Sequence, residues 1–125
     1  MRLTVHAERY AVVRLEPDAE LPAWAIVGPI SSFTRTAAEL SIVCLEDVVP
    51  AGASAERGWR VLEVAGPLAS TLTGVLSSLA TPLADAGVTL FALSTFETDY
   101  LLVREHDLER DSAALREAGH EVAAP

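Results

Sequence analysis

An alternation of apolar segments and polar turns over residues 60–104 is the feature that most constrains the fold of this chain. Segments rich in β-branched and apolar residues, separated by turns, are typical of strands, and apolar residues at helical spacing are typical of a helix that packs on them. The segments predict strands at 60–65, 88–95 and 100–104, and a helix at 71–86. The strands and the helix account for the apolar residues, and most polar residues without an evident structural role lie in the turns. A functional site is therefore expected in the turns.

The rest of the C-terminal half completes a repeating order of elements. Gly87 is expected to end the first helix in a left-handed conformation, and Asp107 is expected to cap a second helix that runs to residue 118. A short closing strand follows at 120–122. The order βαββαβ predicts a four-stranded antiparallel sheet with both helices on one face. The apolar stripe of the first helix is predicted to be Leu72, Val75, Leu76, Leu79 and Leu83.

The N-terminal half repeats part of this pattern at an offset of about 60 residues, which indicates an internal duplication. Its helices are shortened by prolines. Its predicted elements are a strand at 10–15, a truncated helix at 21–27 and a hairpin of 32–36 with 40–45. We therefore expect two units, 1–58 and 59–125, that fold as one compact body.

Composition excludes several kinds of partner. A formal net charge of −9 opposes binding to nucleic acid or to an anionic membrane, whereas a small cationic or zwitterionic ligand is compatible with it. No apolar run approaches the roughly 18 residues of a membrane span, and the first residues do not resemble a signal peptide. A cytoplasmic location is expected.

The residues that the chain lacks also exclude chemistry. It contains no Lys, Asn or Gln, which removes Schiff-base catalysis and a Walker lysine. Cys44 lies in an apolar run and reads as a structural thiol, and the three histidines, His6, His106 and His120, share no ligand spacing. No catalytic residue, metal site or cofactor is expected.

Four segments of the sequence resemble the ACT domain, in the form found in aspartate kinase regulatory regions and in small tandem proteins related to cytosolic arginine sensors. The segments are Leu62-Glu-Val-Ala-Gly-Pro-Leu, Leu72-Thr-Gly-Val-Leu, Pro82-Leu-Ala-Asp-Ala-Gly-Val and Leu93-Ser-Thr-Phe-Glu-Thr-Asp-Tyr-Leu-Leu-Val. The resemblance implies an α+β fold of two tandem ferredoxin-like ACT units, of which the N-terminal one is truncated.

The resemblance also implies a function and a site. Proteins of this kind are non-catalytic regulators that bind an amino acid at an interface between ACT units, here within a homodimer, and act on an enzyme or transporter that the sequence does not identify. Carried onto this chain, the ligand-binding residues are Leu72, Thr73 and Gly74 from the first turn and Thr95, Phe96, Thr98 and Asp99 from the hairpin.

These residue types suit an amino acid, although each also has an ordinary structural interpretation. The backbone N–H groups near Gly74 suit a carboxylate, Asp99 or Glu97 suits an ammonium or guanidinium group, and Phe96 suits an apolar wall. Alternatively, Asp99 is a solvated hairpin acid, Phe96 belongs to the core, and Gly74 serves only the helix start. Two other functions stay open: an adaptor that has lost its small-molecule pocket, and, on much weaker grounds, an enzyme.

Overall fold

The computed structural model describes residues 1–66 and 74–124, which form two compact units. The large unit joins Met1–Ala7 to Arg60–Pro125, and the small unit is Glu8–Trp59. The strands are β1 (Arg2–Leu15), β2 (Ser32–Arg35), β3 (Leu40–Leu45), β4 (Ala55–Val64), β5 (Leu90–Ser94), β6 (Asp99–Arg104) and β7 (Glu121–Ala123), and the α-helices are α1 (Val75–Asp85) and α2 (Leu108–Glu117).

The large unit has the predicted βαββαβ order from β4 to β7, and this confirms the expected α+β fold. Its described strands follow the order β7-β1-β4-β6-β5. The predicted antiparallel hairpin is present, with Leu90 opposite Val103 and Ser94 opposite Asp99. The prediction of a four-stranded antiparallel sheet was wrong, because the start of β1 lies beside β4 and pairs with β7 in parallel, Arg2 opposite Glu121.

The core of the large unit is built from apolar side chains. Its buried residues are Leu3, Val5, Leu62, Val64, Leu79, Leu83, Val88, Leu101, Val103, Leu115 and Val122. Alternate residues of β1, β4 and β6 contribute to it, as a sheet with one face packed on helices requires. Leu3 and Val5, which are two residues apart in β1, are both buried in this core, so the first residues of the chain pack in the large unit.

Helix α1 follows its predicted apolar stripe in part. Leu79 and Leu83 are fully buried and Val75 packs against the core, but Leu76 is 40% exposed, so its predicted burial was wrong. Leu72 lies outside the described residues. Gly87 ends the helix with a φ of 75°, as predicted, because a left-handed backbone costs glycine little.

Helix α2 begins where the sequence places it, but Asp107 does not cap it. Asp107 ends a one-turn 3-10 helix, Glu105–Asp107, and already has helical backbone angles, so its side chain makes no capping hydrogen bond. Its carboxylate instead lies 3.6 Å from His106 Nε2 and 3.7 Å from Arg110 Nη1.

The small unit contains the predicted hairpin, but its helix is shorter than predicted. Strands β2 and β3 pair antiparallel, with Arg35 opposite Leu40, and β3 pairs antiparallel with β1. The helix expected at 21–27 is a single 3-10 turn, Ala23–Ile26. A second 3-10 turn, Glu46–Val48, follows β3 as Glu105–Asp107 follows β6, which agrees with the internal repeat.

Replacement of Leu79 by alanine tests the packing of α1. Leu79 is fully buried in the core, so Leu79→Ala is expected to lower the free energy of unfolding by about 2 to 5 kcal/mol. Leu76→Ala on the same helix removes a side chain that is 40% exposed and is expected to cost less than about 1 kcal/mol. Urea unfolding measures both values, and equal losses would contradict this packing.

A buried carboxyl group lies within the large unit, on α2. Asp111 is 0% exposed, and neither of its carboxylate oxygens has a hydrogen-bond partner in the described structure. Burial, and after it the negative charge of Asp107, raises the pKa of Asp111 from 3.8 to about 7. Burial of a charged group without compensation is costly, so the folded protein favours the neutral acid.

Asp111 is expected to make stability depend on pH. Its pKa is higher in the folded than in the unfolded chain, so the unfolded chain alone loses this proton between pH 4 and 7, and stability falls as the pH rises through that range. At about 1.36 kcal/mol per pH unit, the loss reaches about 4 kcal/mol.

The isosteric variant Asp111→Asn checks this effect, because it is neutral at every pH. Its free energy of unfolding, measured by urea titration from pH 4 to 8, should lack the fall that the unmodified chain shows. Parallel profiles for the two proteins would exclude Asp111 as the source.

Candidate functional site

The loop that joins β5 to β6 is a closed turn that projects Phe96 into solvent. The backbone N–H of Thr95 donates to the carbonyl of Thr98 at 2.9 Å, and the Thr95 hydroxyl also donates to that carbonyl at 3.2 Å. Phe96, at the tip, is fully exposed. The alternative that Phe96 is a core residue is therefore wrong.

Thr98 ties this loop to the end of β4. It is 7% exposed, and its hydroxyl donates to the carbonyl of Val64 at 2.7 Å. A Cβ at Gly66 would lie 3.0 Å from the Thr98 Cβ and 3.2 Å from the carbonyl oxygen of Glu97. Glycine at 66 thus allows the chain leaving β4 to pass directly against the hairpin loop.

These elements enclose a depression of about 350 Å³, which we call the hairpin depression. Its described lining residues are Glu63, Gly66, Thr95, Phe96, Glu97, Thr98 and Tyr100. The volume is within the range of small-ligand pockets. The lining combines hydroxyl groups, carboxylates and aromatic rings, which is the mixture that an amino acid with polar and apolar parts requires.

The hairpin depression has a negative electrostatic character. Burial, and after it the charges of Glu63 and Glu97, raises the pKa of the Tyr100 phenol above its ordinary value. Within the described lining there are carboxylates and no Arg or Lys. His6 Nε2 lies 2.9 Å from Glu63 Oε1 and orients that carboxylate. The arrangement favours a ligand that presents a cationic group.

The structure gathers some of the predicted site residues and separates others. Thr95, Phe96 and Thr98 line the hairpin depression, whereas Gly74 and Asp99 lie outside its described lining. Gly74 is exposed at the start of α1, with a φ of 74°, and Asp99 accepts a 2.7 Å hydrogen bond from Ser94 Oγ across the first pair of the hairpin. Leu72 and Thr73 lie outside the described residues.

Three lining residues were not among the predicted site residues. Glu63 and Tyr100 lie on neighbouring strands, and Gly66 lies in the turn after β4. A signal for Glu63 was present, because it is a charged residue between Leu62 and Val64, which point to the core. Its neighbour Tyr100 was recognisable only once strands β4 and β6 were known to be adjacent.

Comparison with known families identifies the fold. A family model of the ACT domain matches residues 54–117, and a second model, of an N-terminal domain, matches residues 8–52. The chain belongs to the ACT domain family. A solved structure with a similar fold is the regulatory subunit of aspartate kinase from Thermus thermophilus, which is 10% identical, covers 93% of this chain and 95% of that one, and has a TM-score of 0.60.

Two other proteins are more similar to this chain in sequence. A crystallised protein of Agrobacterium tumefaciens is 40% identical, with a TM-score of 0.94 over 99% of this chain and 92% of that one. Subunit 1 of the cytosolic arginine sensor for mTORC1 from Bos taurus is 42% identical over 59 residues, which are 43% of this chain and 18% of the sensor. The chain thus matches about a fifth of the length of that curated relative.

No described helix combines the length and the apolar character needed to cross a membrane. Nowhere in residues 1–66 and 74–124 do three or more His, Cys, Asp or Glu residues come together in a group able to hold a metal ion.

The substitution Gly66→Ala tests the close approach between the end of β4 and the hairpin loop. The added Cβ would crowd Thr98 at 3.0 Å, so Gly66→Ala is expected to lower the free energy of unfolding by about 1 to 3 kcal/mol. Gly52→Ala is the matched control, because its Cβ would meet nothing within 4 Å, and we expect it to be neutral or slightly stabilising. Urea midpoints of the two variants should differ; coincident midpoints would refute the crowding.

Proposed function

We propose that this protein is a non-catalytic regulatory protein that binds an amino acid in the hairpin depression, within a homodimer. One observation is the main support for this site. Glu63 and Tyr100 line the same depression as Glu97, and the hydrogen bond from Thr98 to Val64 holds the loop that contains Glu97 in place. A preorganised loop with charged groups aimed at one space reduces the ordering cost of binding.

The lining favours a cationic amino acid, with arginine as the first candidate. A guanidinium or ammonium group beside Glu63 or Glu97 would gain charge-assisted hydrogen bonds of about 1.5 to 3 kcal/mol each. The ligand carboxylate is proposed to bind at Leu72, Thr73 and Gly74, because the first backbone N–H groups of a helix have no acceptor within that helix. The sequence similarity to the cytosolic arginine sensor supports the same ligand.

The exposure of Phe96 supports a dimer. A phenylalanine that is fully exposed at the rim of a polar depression is a natural anchor for a second subunit, since aromatic residues dominate interface energetics. In this proposal the partner subunit covers Phe96 and closes the ligand site, with Asp99 near the closed rim. A cytoplasmic location, and an enzyme or transporter as the regulated partner, complete the proposal.

A thermal-shift panel of the twenty amino acids tests the ligand. A bound amino acid at about 100 times its dissociation constant should stabilise the fold by about 2.7 kcal/mol. Glu97→Gln should abolish most of this shift, because it removes a charge from the depression, whereas Glu117→Gln on the exposed end of α2 should leave it intact. No shift with any amino acid at millimolar concentration would refute the proposed ligand class.

The adaptor function is the second candidate, and the exposed Phe96 favours it too. An adaptor would show no shift with any amino acid, yet Phe96→Ser would still weaken its association with a protein partner or a second copy, measured by analytical ultracentrifugation. Loss of both ligand response and dimerisation in Phe96→Ser, with an unchanged circular dichroism spectrum, supports the sensor instead.

A further inference from the structure

A second cavity lies in the large unit, away from the hairpin depression. It has a volume of about 590 Å³ and is bordered by α2 and by strands β1, β4 and β7, and we call it the arginine cleft. None of its described lining residues is shared with the hairpin depression. Its described lining is Val5, Arg60, Leu108, Glu109, Ser112, Arg116, Val122 and Ala124.

Arg60 brings a poorly compensated positive charge to this cleft. Its side chain is 14% exposed, and its nearest carboxylate oxygen, on Glu105, is 3.9 Å from Nη1. Nη2 donates to the carbonyl of His6 at 2.8 Å, but the buried Nε has no acceptor in the described structure. Because its paired carboxylate is 3.9 Å away, the positive charge of this largely buried guanidinium favours an anionic ligand in the cleft.

Arg116 supplies a second guanidinium from the facing helix. One of its amino groups donates to the carbonyl of Val122 at 2.8 Å, which fixes the side chain along the cleft. Ser112 stands one turn earlier on the same face of α2 and is 9% exposed, so its hydroxyl lies at the wall of the cavity. A planar guanidinium matches the geometry of a carboxylate.

The other residues that line the cleft restrict which ligands fit beside the two guanidinium groups. Val5, Leu108 and Val122 are apolar and belong to the core or pack on it. Glu109 is the acidic residue of the described lining and disfavours ligands with several negative charges. The chemistry therefore fits a single carboxylate that carries a short, branched apolar chain.

We propose that the arginine cleft is a second ligand site, which binds a small aliphatic monocarboxylate through Arg60 and Arg116. The carboxylate accepts hydrogen bonds from the two guanidinium groups, and its alkyl chain packs against Val5, Leu108 and Val122. This site is independent of the proposed amino-acid site, and it gives the protein a way to respond to a second class of small molecule.

Titration with 3-methylbutanoate, followed by amide chemical shifts of the full chain, tests this site. We expect saturable shifts in β7 and in residues 108–116, and none with the uncharged isostere 3-methylbutanamide. Arg116→Gln removes one charge and Ser112→Leu fills the cavity without changing charge; each should weaken binding at least tenfold. Arg110→Gln, on an exposed face of the same helix, should bind as the unmodified chain does.

The controls separate this site from the amino-acid site and from loss of folding. Glu97→Gln should bind 3-methylbutanoate normally, so failure of the amino-acid proposal would leave this one standing. The urea midpoint of each variant shows whether it is folded. Arg116→Gln can also disturb β7 by removing the Arg116 to Val122 hydrogen bond, whereas Ser112→Leu keeps that hydrogen bond and blocks only the cavity. Absence of saturable shifts, or equal binding of the amide, would overturn the proposal.

Discussion

Burial of the alternating apolar residues of the large unit against α1 and α2 is the interaction on which the rest of this structure depends. Leu62 and Val64 of β4, and Leu101 and Val103 of β6, point to the same core as Leu79. Since side chains of a strand alternate between faces, placing these residues in the core places Glu63 and Tyr100 on the opposite face. The core thus fixes which polar residues line the hairpin depression.

A second, more local interaction turns this scaffold into a candidate site. The hydrogen bond from Thr98 to Val64 and the close approach at Gly66 hold the hairpin loop against the end of β4. Without them the loop would be an ordinary exposed turn that nothing holds against β4. With them, Tyr100 lies beside Glu63 and Glu97, and burial, followed by these two charges, raises the pKa of its phenol.

The large unit also contains two ionisable side chains with buried polar atoms that have no hydrogen-bond partner in the described structure. Asp111 is fully buried without a hydrogen-bond partner in the described structure, and the buried Nε of Arg60 is in the same condition. Both groups cost stability where they stand. Arg60 borders a cavity and is interpreted as a ligand-binding residue. Asp111 lines neither of the two described cavities and is interpreted as a source of pH-dependent stability.

The sequence by itself determined the local elements: the hairpin of β5 and β6, the helix that ends at Gly87, and the resemblance to the ACT family, because periodicity and turn residues act over a few neighbouring positions. It also placed Thr95, Phe96 and Thr98 in the candidate site. Only the tertiary structure decided that the first residues of the chain pair with β7, that Asp107 is not a cap, and that Glu63 meets Tyr100. Each of these depends on residues distant in sequence becoming neighbours, and local patterns contain little information about which strands lie side by side.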